Sequence, residues 1–205
     1  MENSNGLPVV SISRLRLGTD GQGIRTLVVV YGCQLRCKYC FNPTSWISSR
    51  RPKYYTQKQL YEKVSIDDIY FQATGGGITF GGGEPMLYAD FIEKFVNEYC
   101  DGWNIAIETS LCVSNKQVVV LSGLINHFYI DIKTLNKDIY FAYTGASNDQ
   151  VIDNLDFLSK TCPEKVTIRI PLIPGYNDIA EQHQTMEKMK MLGFSVNLFT
   201  YRTVF

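Results

Sequence analysis

Six short apolar runs recur along the chain, separated by stretches with helical periodicity. Thr26-Leu27-Val28-Val29-Val30-Tyr31 is continuous and largely β-branched, the pattern of a strand covered on both faces. Comparable runs stand at residues 78–80, 105–107, 128–130, 166–170 and 196–199. Between them, Thr56 and Gln59 have capping-box spacing ahead of Leu60 and Val64. Phe91, Ile92, Phe95, Val96 and Tyr99 form one apolar stripe, stopped by Asp101-Gly102. Residues 115–125 read as helix, and Val151, Ile152, Leu155 and Leu158 form a further stripe. Asp178 and Glu181 fit the start of a last helix, with Ile179, Met186 and Met189 inward and Gly193 beyond its end. Alternation of this kind predicts an α/β fold, a parallel sheet with helices outside. Six strand-helix units fall short of the eight, over roughly 250 residues, that close a full barrel. The expectation is a partial (β/α)6 barrel.

Composition narrows the setting. At 205 residues the chain is expected to be one domain, residues 1–205, and 45% hydrophobic content is ample for a core. Twenty Lys and Arg balance twenty Asp and Glu, so no bulk basic footprint marks nucleic acid or a membrane surface as a partner. No apolar run approaches the roughly 20 residues that span a bilayer. Met1 to Gly6 lacks the basic and apolar regions of a signal peptide, and a cytoplasmic location is expected.

The six cysteines then change the picture. Cys33, Cys37 and Cys40 crowd into eight positions directly after the first apolar run, in Cys-x3-Cys-x2-Cys spacing. In a reducing compartment such a group points to metal or redox chemistry before disulfides. A [4Fe–4S] cube held by three thiolates keeps one iron without a protein ligand. A closed zinc site wants four ligands, with His127, His183 or another cysteine as the candidates, and three buried thiols can also cluster by chance. Spacing alone leaves all three readings open. Cys100, Cys112 and Cys162 have no paired spacing and read as core thiols, the methionines near 190 as a helix face, and His127 as packed or solvated.

Other polar groups stand at the ends of the predicted strands. Gly81-Gly82-Gly83-Glu84-Pro85 follows the second, and glycines there let backbone N–H and C=O groups approach a ligand closely. Glu108-Thr109-Ser110 ends the third, Asp131-Ile132-Lys133 the fourth, and Arg169 lies on the fifth. Acidic groups suit ribose hydroxyls, and lysine or the arginine fork suits a carboxylate. Singly, each is a turn or a surface ion pair. Together they fall at the carboxyl ends of parallel strands, where barrel and doubly wound folds keep their chemistry.

Gly18-Thr19-Asp20-Gly21-Gln22-Gly23-Ile24-Arg25, a strand, then Gly32 to Cys40 and Phe41-Asn42-Pro43-Thr44-Ser45-Trp46 resemble the activating enzymes of glycyl radical enzymes. These are radical S-adenosylmethionine (SAM) proteins, and the pyruvate formate-lyase activating type is the nearest in pattern. The resemblance runs from about residue 10 to residue 202. Gln22 replaces the usual proline, Phe41 the histidine after the third cysteine, Glu108 an aspartate, and Arg202 the histidine of a Tyr-His pair.

The resemblance implies a radical SAM core in which Cys33, Cys37 and Cys40 hold a [4Fe–4S] cluster whose open iron chelates SAM. One electron then yields methionine and a 5′-deoxyadenosyl radical. Tyr39 matches the aromatic position near the adenine, and Gly81, Gly82, Gly83 and Glu84 the segment holding the methionyl amine. Glu108, Asp131, Lys133 and Arg169 match further cofactor contacts, and the Glu108 and Asp131 positions can also help hold a monovalent cation. The implied activity is hydrogen abstraction from one glycine of a partner glycyl radical enzyme under anaerobic conditions. A flavodoxin or ferredoxin-type protein would supply the electron. Rival readings are an anaerobic ribonucleotide reductase activase, a small-molecule radical SAM enzyme such as a 7-carboxy-7-deazaguanine synthase-like protein, and a non-catalytic zinc or iron–sulfur module.

Overall fold

A long antiparallel hairpin opens the fold. In the computed structural model, which describes residues 6–47 and 51–201, β1 (Leu7–Leu17) pairs with β2 (Ile24–Val30). β3 (Lys53–Tyr55) adds to the other edge of β1 opposite Leu7 to Val9. After α1 (Gln57–Val64) and α2 (Asp68–Thr74) the chain alternates: β4 (Gly77–Gly82), α3 (Ala89–Tyr99), β5 (Asn104–Thr109), α4 (Asn115–Ser122) and β6 (His127–Asp131). It continues through α5 (Lys137–Thr144), α6 (Asp149–Thr161), β7 (Val166–Leu172), α7 (Ile179–Met191) and β8 (Ser195–Thr200). Sheet order is β3-β1-β2-β4-β5-β6-β7-β8; the six strands from β2 to β8 are parallel, and the sheet does not close. The six expected strands are all present. β1 and β3 are an antiparallel addition at one edge.

Burial explains the parallel strands. Val28, Ile78, Phe80, Ile105, Ile107, Phe128, Ile130 and Ile168 are almost wholly shielded, and Phe80 meets Phe95 of α3 edge-on at 5.9 Å. Alternate side chains point the other way, into the concave face, where Leu27 and Val29 begin the wall of a cavity. β1 differs, being buried only from Leu7 to Val9 and exposed or half-exposed beyond. Two register shifts and the left-handed backbone of Leu15 (φ 55°) bend it away from a regular ladder.

The helix caps follow the chain's polar spacing. Thr56 and Gln59 cap α1 reciprocally, Ser114 and Gln117 cap α4, and Asp178 accepts the Glu181 amide at the start of α7. The inward face of α7 is a correction: Ile179 is exposed, and Gln182, Thr185, Met186 and Met189 turn inward. Ile179 occupies the first turn, ahead of the contact with the sheet. Gln182 makes that contact by donating to the carbonyls of Ile170 (2.8 Å) and Phe199 (3.2 Å).

Candidate active site

The cysteine loop leaves the end of β2 and is held without help from its thiols. Tyr31 N–H donates to Pro8 O and Gly32 N–H to Ser45 O, while Leu35 is buried in the core. Arg36 and Lys38 amides donate to Thr144 O (2.8 Å) and Tyr143 O (3.1 Å), orphan carbonyls at the end of α5. Cys33, Cys37 and Cys40 line one cavity of about 720 Å3 together with Tyr39. All three thiols are free, as are Cys100, Cys112 and Cys162, which are buried as expected of core thiols. Burial pushes the Cys33 thiol up to about 12, with the charge of Glu84 adding to it, and burial raises Cys37 despite the opposing pull of Lys133. Loading a metal group therefore displaces protons.

The donor set fits a cluster better than a single ion. Among the described residues no three His, Cys, Asp or Glu side chains converge as closely as one ion requires. A cluster gives each thiolate its own iron and tolerates wider spacing. Neither histidine lines the cavity; His127 is at the opposite end of β6, with Nε2 2.8 Å from Thr167 Oγ1, and His183 is exposed on α7. Three thiols and no fourth ligand match a cube with one open corner.

The glycine-rich turn after β4 braces this loop. Gly83 N–H donates to Val30 O (3.0 Å) and Glu84 N–H to Gly32 O (2.8 Å). A Cβ on Gly83 would stand 2.1 Å from the Gly32 carbonyl oxygen, so only glycine permits that approach. Gly83→Ala should therefore loosen the cysteine loop and cost roughly 2 kcal/mol. Thermal unfolding would show it as a melting point lower by roughly 4–8 °C. Gly82 also lines the cavity, whereas Gly81 faces Glu108, whose Oε2 would be 2.9 Å from an added Cβ.

Glu84 lies under the cavity floor, fully buried and not in its lining. Its carboxylate accepts from Thr109 Oγ1 (2.7 Å), Ser110 N (2.9 Å), Ser110 Oγ (2.6 Å) and Met86 N (3.3 Å). Burial raises its pKa more than these donors lower it. The residue ties the cysteine loop to the ends of β4 and β5.

Four charged groups form the opposite wall. Arg169 Nε donates to Asp131 Oδ1 and Nη1 to Glu108 Oε1, both at 2.7 Å. Lys133 Nζ lies 3.6 Å from Asp131 and donates to Tyr201 OH at 3.3 Å. Asp131 and Arg169 are register neighbours on β6 and β7, which fixes the bridge. Burial opposes each charge, yet Lys133 and Arg169 keep Asp131 below the usual carboxylate range, and Asp131 in turn raises both cations. For Glu108, burial outweighs Arg169 and the pKa rises.

Two parts of the site were not read from the sequence: the Arg16–Asp20 pair, and the rings of Tyr176 and Phe41 that accompany the expected Tyr39. The end of β1 and its connection to β2 turn inward, so that Arg16 and the buried Asp20, joined as an ion pair, line the cavity. Asp20 O accepts from Thr79 Oγ1 (2.8 Å). Aromatic rings frame the mouth: Tyr39 lies 6.3 Å from Tyr176, and Phe41 lies 4.7 Å from Tyr201. The glycine-rich leader was the available signal for the first, and the Tyr201 position for the second. Arg202 lies outside the described residues.

A partial parallel barrel with a thiol-bearing loop and charged strand ends around one concave cavity defines the class. Residues 27–194 match the radical SAM superfamily, and the chain belongs to it. Within that class it is 34% identical, over 170 residues, to the pyruvate formate-lyase-activating enzyme of Staphylococcus aureus (strain USA300), spanning 79% of this chain and 67% of that one. Solved structures share the fold. Streptococcus suis SuiB bound to S-adenosylmethionine aligns with a TM-score of 0.65 at 17% identity, over 85% of this chain and 39% of SuiB. TYW1 with a lysine–pyruvate adduct bound aligns at 0.60 and 20% identity, over 88% of this chain and 65% of TYW1. The chain thus spans about two thirds of the curated relative and less of these two structures. Among the described residues no helix is long and apolar enough to cross a membrane.

Proposed function

We propose that this chain is an anaerobic, cytoplasmic activase of the pyruvate formate-lyase-activating type, a single radical SAM domain that installs a glycyl radical on a partner enzyme. The observation that carries the reading is the convergence of three free thiols and four charged strand-end residues on one cavity. The 34% identity to a pyruvate formate-lyase-activating enzyme supports the partner class. Bound together, a [4Fe–4S] cluster and SAM supply one-electron cleavage of the sulfonium and a 5′-deoxyadenosyl radical that takes hydrogen from glycine Cα.

The chain's own groups bind and orient. Cys33, Cys37 and Cys40 would hold the cluster, and Tyr39 would pack along the adenine. Gly82 and Gly83 would present backbone groups to the methionyl end, with Gly81 making room for Glu108 and Glu84 bracing the turn beneath. Lys133 offers an ammonium to a carboxylate, and Arg169 keeps Nη2 without a protein partner among the described residues. Glu108 and Asp131 do not fit a monovalent cation as they stand, because the Arg169 guanidinium already bridges them.

The test is anaerobic reconstitution with iron and sulfide, reduction, and addition of SAM with a glycyl radical enzyme. Formation of 5′-deoxyadenosine together with a glycyl radical signal in electron paramagnetic resonance is expected. Deoxyadenosine formed only with a small metabolite, or one tightly bound zinc and no sulfide, would replace the reading.

A further inference from the structure

The chain's zero net charge conceals a strong asymmetry. Between Asp20 and Glu62 it carries seven Lys and Arg and no acidic residue, and the cysteine loop lies in the middle of that segment. The acids that balance it are almost all further along the chain.

The structure sorts this segment by side. Cys33, Leu35, Cys37 and Tyr39 line the cavity; Arg36 and Lys38, which alternate with them, are exposed and line none of it. Arg36 is fixed in place. Its guanidinium rests over the Trp46 ring at 4.9 Å and donates to the carbonyls of Cys33 (2.6 Å) and Leu35 (2.8 Å). Lys53 pairs with Val9, which pairs with Val30, so it flanks the strand end that feeds the loop, and exposed Arg51 precedes it. None of Arg36, Lys38, Arg51 and Lys53 makes an ion pair among the described residues. Exposed lysines elsewhere, such as Lys116 and Lys188, are unpaired among the described residues too, but no other stretch of the chain without an acidic residue is as long as residues 21–61.

We infer that the outer side of the cysteine loop is the docking surface of an acidic one-electron carrier protein. This rests on the reading of the three cysteines as ligands of a reducible cluster. Cys37 sits between Arg36 and Lys38, so a carrier seated on those cations is separated from the thiol only by the thickness of the loop. Unpaired positive charge there attracts an acidic carrier from a distance and orients it before contact. One electron passes to the cluster and the carrier is oxidised by one; no bond forms or breaks. The substrate glycine has to reach the cavity, on the opposite side of the same loop, which favours a carrier over the glycyl radical enzyme as the occupant of this face.

The test uses cluster-loaded protein, verified by iron and sulfide content, and reads cluster bleaching after mixing with a reduced acidic flavodoxin or with photoreduced deazaflavin, a small donor. The double variant Lys38→Glu/Lys53→Glu should slow reduction by flavodoxin roughly tenfold or more, leaving the deazaflavin rate unchanged. Lys188→Glu, the same kind of charge reversal on α7, should match the native rate. Raising salt from about 50 to about 500 mM should slow the native protein and hardly affect the double variant. Equal flavodoxin rates for native protein and double variant would overturn the inference. So would weakened binding of the glycyl radical enzyme with electron transfer intact, which assigns the face to the substrate instead. Failure to assemble any cluster removes the reading beneath it and is seen before a carrier is added.

Discussion

Cys37→Ala should abolish SAM cleavage while leaving the empty protein folded. The loop around Cys37 is held by the Arg36 and Lys38 amides, by the burial of Leu35 and by the brace from Glu84, none of which involves the thiol. Losing one half-buried sulfur therefore costs the empty protein about 1 kcal/mol. Cluster loading is another matter, since the cavity lining offers no fourth thiol or imidazole and its carboxylates of Asp20, Glu108 and Asp131 are held in ion pairs. Two thiolates cannot restrain a cube that needs three, and activity should fall by more than about 100-fold, beyond what loss of a supporting group costs. Iron and sulfide analysis after anaerobic reconstitution, with deoxyadenosine as the activity readout, checks both halves. Cys100→Ala is the control, a core thiol whose loss should lower the melting point slightly and leave iron content unchanged. Full iron content and turnover in Cys37→Ala would remove the ligand assignment.

β2 was legible because it is buried on both faces and reads as an almost continuous apolar run, whereas β8 was legible from its short apolar run alone, its residues being exposed or half-buried. The caps of α1 and α7 were legible because Thr56 and Asp178 bond groups only three residues away. β1 was hidden for the opposite reason. Exposed Arg14, Pro8 and a bend at Leu15 break its alternation, and its partners are set by contacts across the fold, such as Arg14 reaching the buried Asp67 carboxylate. α5 was hidden as well, its Lys-Asp start and two inward tyrosines leaving no clear apolar stripe. At the site, sequence marked which residues belong to the strand ends and missed which of them bond one another. Glu84 and Arg169 show the limit. A carboxylate beneath the floor and a guanidinium between two acids are outcomes of register between distant strands, which no local pattern encodes.

Arg169→Met, which keeps length and removes charge, should make the protein sensitive to both pH and monovalent cations. In the native protein one guanidinium neutralises Glu108 and Asp131 at 2.7 Å each, and all three groups are mostly shielded from solvent. Removing it leaves two neighbouring carboxylates, with Lys133 beside Asp131 and only the already paired Arg16–Asp20 near Glu108. The cost is about 3 kcal/mol, the lower end for breaking a buried pair because the site is not fully dry. The sign of the pH effect follows from linkage. Native Asp131 has a depressed pKa, from Lys133 and Arg169 acting against burial, and contributes stability above its unfolded pKa that is lost as pH falls. In the variant, repulsion raises the folded pKa of one carboxylate above its unfolded value. That group favours the folded state at low pH, and the benefit disappears as pH rises through the raised value. The melting-point gap between native and variant protein should therefore widen from about pH 5 to about pH 8. At the upper pH, about 100 mM sodium or potassium in place of choline should recover part of the loss in the variant and none in the native protein, where the guanidinium already occupies the position. A deficit of the same size at every pH and with every cation would mean that Arg169 acts there through packing, and that its charge does not hold the two acids.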